Sequence, residues 1–260
     1  MNQTLKKREP LLTEQYFDET LQLSYEFIAE AKEDALLPSY QMRHDLLYLS
    51  LYNEWLEVIE LKYSRGYAIQ ELRADFLALV DSLETFRRFP DPDGDPEGMF
   101  FNGEQDEYMQ AVELLSLGLL LRVEAGVFQR LVAALGLNGQ DFVLEWLAGR
   151  RLPDRPRTTQ LLFPKTYARL RDAIQAPRDI QAAVLKSFLA GWYESLDTVW
   201  YECHRVAGGG GFTGYWCWEA AAVACFLGAD DGELRAMRYY PADLADYAYG
   251  RKLQPTTDAG

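Results

Sequence analysis

The stretch LYLSLYNEWLEVIELKYSRG, residues 47–66, decides the fold class. Within it Tyr48, Tyr52, Trp55 and Ile59 recur at spacings of four, three and four, and Leu47, Leu51 and Val58 widen the same face. Side chains at these intervals share one side of a helix with 3.6 residues per turn, so the stretch reads as a long amphipathic helix. It closes near Lys62 to Gly66, where glycine can take the left-handed conformation that ends a helix.

The same periodicity extends in both directions. Upstream, Phe17, Leu21, Tyr25 and Ile28 place one stripe on a helix over residues 13–33. Downstream, Leu72, Phe76, Leu79, Val80 and Leu83 mark a third helix. Three prolines and three glycines between Phe89 and Gly103 forbid a continuing helix and require a loop. Helical spacing resumes through Tyr108, Val112, Leu115 and Leu119, then Val127 to Leu135, then Phe142 to Leu147. Pro153, Pro156 and Pro164 make residues 150–164 a linker or domain seam. Further helices are expected over Tyr167–Ala176, Asp179–Leu196, Thr213–Leu227 and Pro241–Tyr249.

Alternating β-branched segments are absent, and leucine and alanine dominate the apolar positions. The expected fold is all-α, an irregular multi-helix bundle of about nine to ten helices in two packed halves. Residues 1–150 form an acidic N-terminal helical region and residues 151–260 a C-terminal one. Apolar runs such as Leu114–Leu121 and Ala220–Leu227 fall short of the ~18 residues that a membrane span needs. The start of the chain carries Lys6, Lys7 and Arg8 but no apolar run of a secretion signal, so a soluble, cytoplasmic protein is expected.

Charge is distributed unevenly. Residues 1–150 hold 13 basic and 27 acidic side chains, and residues 151–260 hold 13 of each, so the whole net charge of −14 lies in the first region. Nucleic acid is excluded as a direct partner of that region, because binding it requires the opposite sign. A basic protein fits. The densest stretch supplies Asp91, Asp93, Asp95, Glu97, Glu104, Asp106 and Glu107 without one basic residue, and these carboxylates are the candidate contacts for such a partner. As a calcium loop it fails, since the twelfth position from Asp91 is Asn102.

No constellation of catalytic residues emerges, and no catalytic, cofactor-binding or metal site is expected. Three cysteines and two histidines lack the paired spacing of a zinc site. Cys203 and His204 with Glu219 have the chemical types of a nucleophile, base and orienting acid, but sequence neighbours point in different directions. Gly208 to Gly211 lack the lysine and hydroxyl residue of a phosphate loop and read as a connector. Tyr215, Trp216 and Trp218 read as packing. The rival reading is a metal-dependent helical hydrolase built on His44 and Asp45, and a third is a helical adaptor with a non-nuclease partner.

The C-terminal region also carries a recognisable signature. Trp192-Tyr193, Trp200-Tyr201, His204, Gly214-Tyr215-Trp216, Glu219 to Ala222, Asp230-Asp231 and Tyr239-Tyr240-Pro241-x-Asp243-Leu244 resemble the PoNi-type immunity proteins. Tyr16-Phe17-Asp18 and Tyr63-Ser64-Arg65-Gly66 extend the resemblance to the N-terminal region. The resemblance implies an immunity protein that protects a bacterium from a DNase toxin, delivered between competing cells by a contact-dependent route such as type VI secretion. It implies stoichiometric inhibition without turnover, with the toxin's nuclease domain as partner and no cofactor. Oligomeric state is not encoded in any of these patterns.

Overall fold

The computed structural model describes residues 5–37, 44–89, 105–196, 198 and 200–250. Among them are ten α-helices and no strand. In chain order they are α1 (Glu14–Asp34), α2 (His44–Arg65), α3 (Ile69–Phe86), α4 (Gln105–Leu120), α5 (Ala125–Ala134), α6 (Phe142–Ala148), α7 (Pro164–Gln175), α8 (Gln181–Trp192), α9 (Trp218–Leu227) and α10 (Ala242–Tyr249). No helix is long and apolar enough to cross a membrane among the described residues. The all-α expectation and the helix number hold.

The chain folds into two compact units. One comprises Met1–Ala111, Glu124–Asn138 and Leu196–Tyr215, and the other Val112–Val123, Gly139–Ser195 and Trp216–Gly260.

In the first unit α2 packs against α1 and α3, and α5 against α3. Phe17, Leu21 and Ile28 of α1 meet a core that includes Tyr52, Val58 and Ile59 of α2 and Phe76, Leu79 and Val80 of α3, all buried. Tyr25, expected on the buried stripe, is 40% exposed. The stripe runs instead through Phe17, Leu21, Ser24, Ile28 and Ala31, and Tyr25 stands at its rim beside Trp55. One ion pair lies inside this packing: Lys62 Nζ donates to Asp75 at 2.7 Å. The last turn of α2 is closed from outside. The amides of Arg8 and Glu9 both donate to the carbonyl of Ser64, and the Arg8 guanidinium donates to the carbonyls of Tyr63 and Tyr67. The bonds to Ser64 satisfy a carbonyl that the helix leaves without a partner, and those of the guanidinium tie the chain on either side of the helix end. Gly66, at φ 103°, ends α2 as its sequence position predicts.

In the second unit α9 is apolar all round, and Trp218 to Ala224 are all buried. Such a helix belongs inside a unit, and its alanines let α7, α8 and α10 approach closely. It begins at Trp218 rather than Thr213. Gly214, at φ 129°, interrupts the helical geometry, and the Cys217 amide donates to the carbonyl of Tyr239 instead of entering a helix. Likewise α8 stops at Trp192 and gives way to a 3-10 turn over Tyr193–Ser195.

Candidate functional site

The outer face of α1 combines charge with large exposed apolar groups. Thr13 opens the helix by accepting from the amide of Tyr16 at 3.1 Å. The buried stripe commits one side, so Glu19, Gln22, Leu23, Glu26, Phe27 and Glu30 face outward. Leu23 is 64% exposed and Phe27 40%. They stand four residues apart, the spacing of neighbours on a helix surface. Gln15 donates to Glu19 at 2.7 Å and Gln22 to Glu26 at 2.8 Å, fixing two carboxylates beside the apolar pair. Within α1 there are seven acidic side chains and one basic. Two of the seven, Glu14 and Asp18, pair with Arg65 at 3.3 and 2.7 Å. Glu19, Glu26, Glu30 and Glu33 form no ion pair among the described residues. On the flank lies a groove of about 460 Å³ lined by Tyr25 and Tyr67 with Asp18, Gln22 and Glu26. Apolar anchors ringed by carboxylates suit a protein surface of opposite charge.

A second acidic group lies on α2, where Glu54, Glu57 and Glu60 are half-buried. Burial pushes Glu57 up to about 7, with the neighbouring charges of Glu54 and Glu60 adding to it. Glu60 accepts from the Thr213 hydroxyl at 2.7 Å, and the Ser64 hydroxyl donates to the Thr213 carbonyl. These bonds fix the segment before Gly214 rather than assembling a reaction centre.

The residues with catalytic chemistry are engaged structurally. His204 Nδ1 and the Tyr215 hydroxyl are 2.8 Å apart, and Cys203 Sγ lies 3.8 Å from the same hydroxyl. Burial pushes the Cys203 thiol up, so it stays protonated at neutral pH, whereas a nucleophile requires the thiolate. Glu219 orients neither of them: it accepts from Trp192 Nε1 at 2.8 Å, and burial pushes it up to about 7. No cluster of three metal-ligating side chains occurs among the described residues. His44 opens α2, but its side chain lies outside the described residues. Of the acidic stretch, Asp91, Asp93, Asp95, Glu97 and Glu104 also lie outside them. Asp106 and Glu107 belong to the first turn of α4, with Asp106 exposed and Glu107 half-exposed.

Comparison with protein families covers nearly the whole chain. Residues 8–133 match the N-terminal model of the PoNe immunity proteins (PoNi), and residues 139–244 match the C-terminal model. The chain belongs to the PoNe immunity protein family. As a PoNi fold it is similar to the crystal structure of protein PA2201 from Pseudomonas aeruginosa, with a TM-score of 0.72 at 20% identity, over 95% of this chain and 92% of that one. Curated protein sequences offer no match. The PoNi signature residues are packing residues: Tyr215, Trp216, Trp192, Tyr240 and Leu244 are all buried, and Gly214 supplies a positive φ. In the same way Asp231 accepts from Tyr240 at 3.0 Å. These signature residues therefore build the frame, whereas Tyr201 and Asp230 of the same signature are exposed. Sequence reading missed the outer face of α1, although Leu23 and Phe27, both off the apolar stripe of an acid-rich helix, signal it.

Proposed function

We propose that this PoNi chain binds the nuclease domain of a PoNe-type DNase toxin in a stoichiometric complex and neutralises it without performing a reaction. Membership of the family supports an immunity role against such toxins. The observation that carries the binding mode is the outer face of α1, where Leu23 and Phe27 protrude among carboxylates that form no ion pair among the described residues. A DNA-cleaving domain needs a basic surface to hold its substrate. A carboxylate face attracts that surface from a distance, and apolar anchors then hold it.

In this reading the net negative charge of region 1–150 steers the toxin. The stretch of Asp91, Asp93, Asp95, Glu97, Glu104, Asp106 and Glu107 adds to the long-range attraction. The protein acts in the bacterial cytoplasm, where a toxin injected by type VI secretion would otherwise reach the DNA. The test is co-purification with the nuclease encoded by the neighbouring gene. A one-to-one complex that the Leu23→Ser, Phe27→Ser double variant loses supports the reading. A complex that the double variant keeps at full affinity removes α1 from the interface.

A further inference from the structure

The second unit carries a cleft that the reading above does not use. Asp141 caps α6 by accepting from the amides of Val143 at 2.7 Å and Leu144 at 3.0 Å. Its other oxygen accepts from Leu162 at 2.9 Å, and the Phe142 amide donates to the carbonyl of Gln160 at 2.7 Å. These bonds fold the proline-rich segment 150–163 back along α6. Glu145 fixes it a second time, accepting two bonds of 2.7 Å from Arg155 and one of 2.7 Å from the Gly139 amide. Between helix and segment lies a cleft of about 440 Å³, walled by Phe142, Trp146, Pro153 and Pro156 and edged by Arg150 and Arg157.

The two edging arginines are unusual in so acidic a chain. The Arg150 guanidinium sits 4.2 Å above the Trp146 ring, and its Nε donates to the Trp146 carbonyl at 3.0 Å. Neither Arg150 nor Arg157 forms an ion pair among the described residues, although the chain has 40 acidic residues against 26 basic. Partial desolvation against the Trp146 ring draws Arg150 below the usual guanidinium range although the residue as a whole is exposed, with no carboxylate acting against it. Three arginines against the single Glu145 leave the lining with a surplus of two positive charges.

We propose that this cleft binds a phosphomonoester joined to a flat ring either directly or through a sugar, the chemistry shared by aryl phosphates and nucleoside monophosphates. Guanidinium forks match phosphate oxygens in pairs, and a phosphomonoester carries roughly −1.5 to −2 charges at pH 7, which balances the surplus. Inorganic phosphate would leave the aromatic and proline walls wet, and an uncharged ring would leave both guanidiniums unpaired. The volume falls within the ~300–1,000 Å³ of small-molecule sites.

Calorimetric titration of the full chain at pH 7 and fixed ionic strength tests the proposal, with AMP as the probe and adenosine, inorganic phosphate and phenyl phosphate as comparisons. AMP binds at one site, and adenosine and inorganic phosphate bind at least about tenfold more weakly, each lacking half of the recognised chemistry. Arg150→Gln and Arg157→Gln each weaken AMP by about tenfold while the circular dichroism spectrum is unchanged. Phenyl phosphate matching AMP supports recognition of any flat ring, and phenyl phosphate failing beside AMP supports recognition of the nucleobase. The proposal is overturned if AMP binds no tighter than inorganic phosphate, if the Arg150→Gln, Arg157→Gln double variant keeps full affinity, or if a hexaglutamate peptide competes AMP out at lower concentration.

Discussion

The hydroxyl of Tyr16 donates to the carbonyl of Phe212 at 2.9 Å, across 196 residues of chain, and the same ring lies against Gly209. A Cβ added at Gly209 would stand 2.4 Å from Cε2 of Tyr16. The four-glycine run is therefore a fitted segment at that point, not the connector its composition suggests. All four glycines have positive φ, but a Cβ at Gly208 or Gly211 meets nothing within 4 Å.

Substitution along this run should be graded. Gly209→Ala combines backbone strain with overlap on a ring held by a hydrogen bond, and should cost about 3 kcal/mol. Gly208→Ala and Gly211→Ala carry only the strain, about 1 kcal/mol each. Urea denaturation midpoints of the three variants check the order, and equal losses at all three contradict the packing of Tyr16 on Gly209.

The pair of Lys62 and Asp75 sits inside the first unit with both side chains 11% exposed. Asp75→Ala leaves a buried ammonium without its partner and should cost roughly 3–5 kcal/mol. The double replacement Lys62→Met, Asp75→Leu removes both charges and should recover most of that loss, measured by the same denaturation. Equal instability of single and double variants would show that shape, not charge, sets the cost.

Stability should depend on pH near neutrality through two carboxyls. Burial raises both Glu57 and Glu219 to about 7 in the folded state, from 4.5 as the unperturbed value. The folded chain thus holds protons that the unfolded chain has released between pH 4.5 and 7. This contribution is fully present below about 4.5 and is lost as pH rises through 7. Melting temperature should fall between pH 5.5 and 8, and the Glu57→Gln, Glu219→Gln double variant should flatten that fall. An unaltered slope in the double variant would move the effect to other groups.

The sequence made the helices legible because an apolar stripe is a local property: the spacing of Tyr52, Trp55 and Ile59 sets a helix whatever they pack against. Helix ends were less legible. The start of α9 at Trp218 depends on the contact of Cys217 with Tyr239, a bond across 22 residues that no local pattern expresses. The interleaving of the two units was equally hidden, since segments 112–123 and 196–215 join units through packing and not through composition. For the candidate site, total charge pointed to a basic partner, but acid is denser in residues 89–107 than in α1. Its negative charges are spread over 21 residues, and only the exposure of Leu23 and Phe27 brings them together as a surface.

Electrostatic attraction should be separable from adhesion. Neutralising Glu19, Glu26, Glu30 and Glu33, or Asp91, Asp93, Asp95 and Glu97, to the corresponding amides should slow association with the nuclease severalfold and weaken its salt dependence. Leu23→Ser with Phe27→Ser should instead raise the dissociation rate, by about a hundredfold. Stopped-flow and surface-binding kinetics read the two separately, and a carboxylate group whose loss changes neither rate nor salt dependence plays no part in attraction.

The most direct measurement is DNA cleavage by the neighbour-encoded nuclease with increasing amounts of this chain. Cleavage should fall linearly with added chain and end at one equivalent, with the chain recovered unaltered in the complex. Undiminished cleavage at one equivalent and beyond would contradict neutralisation by binding.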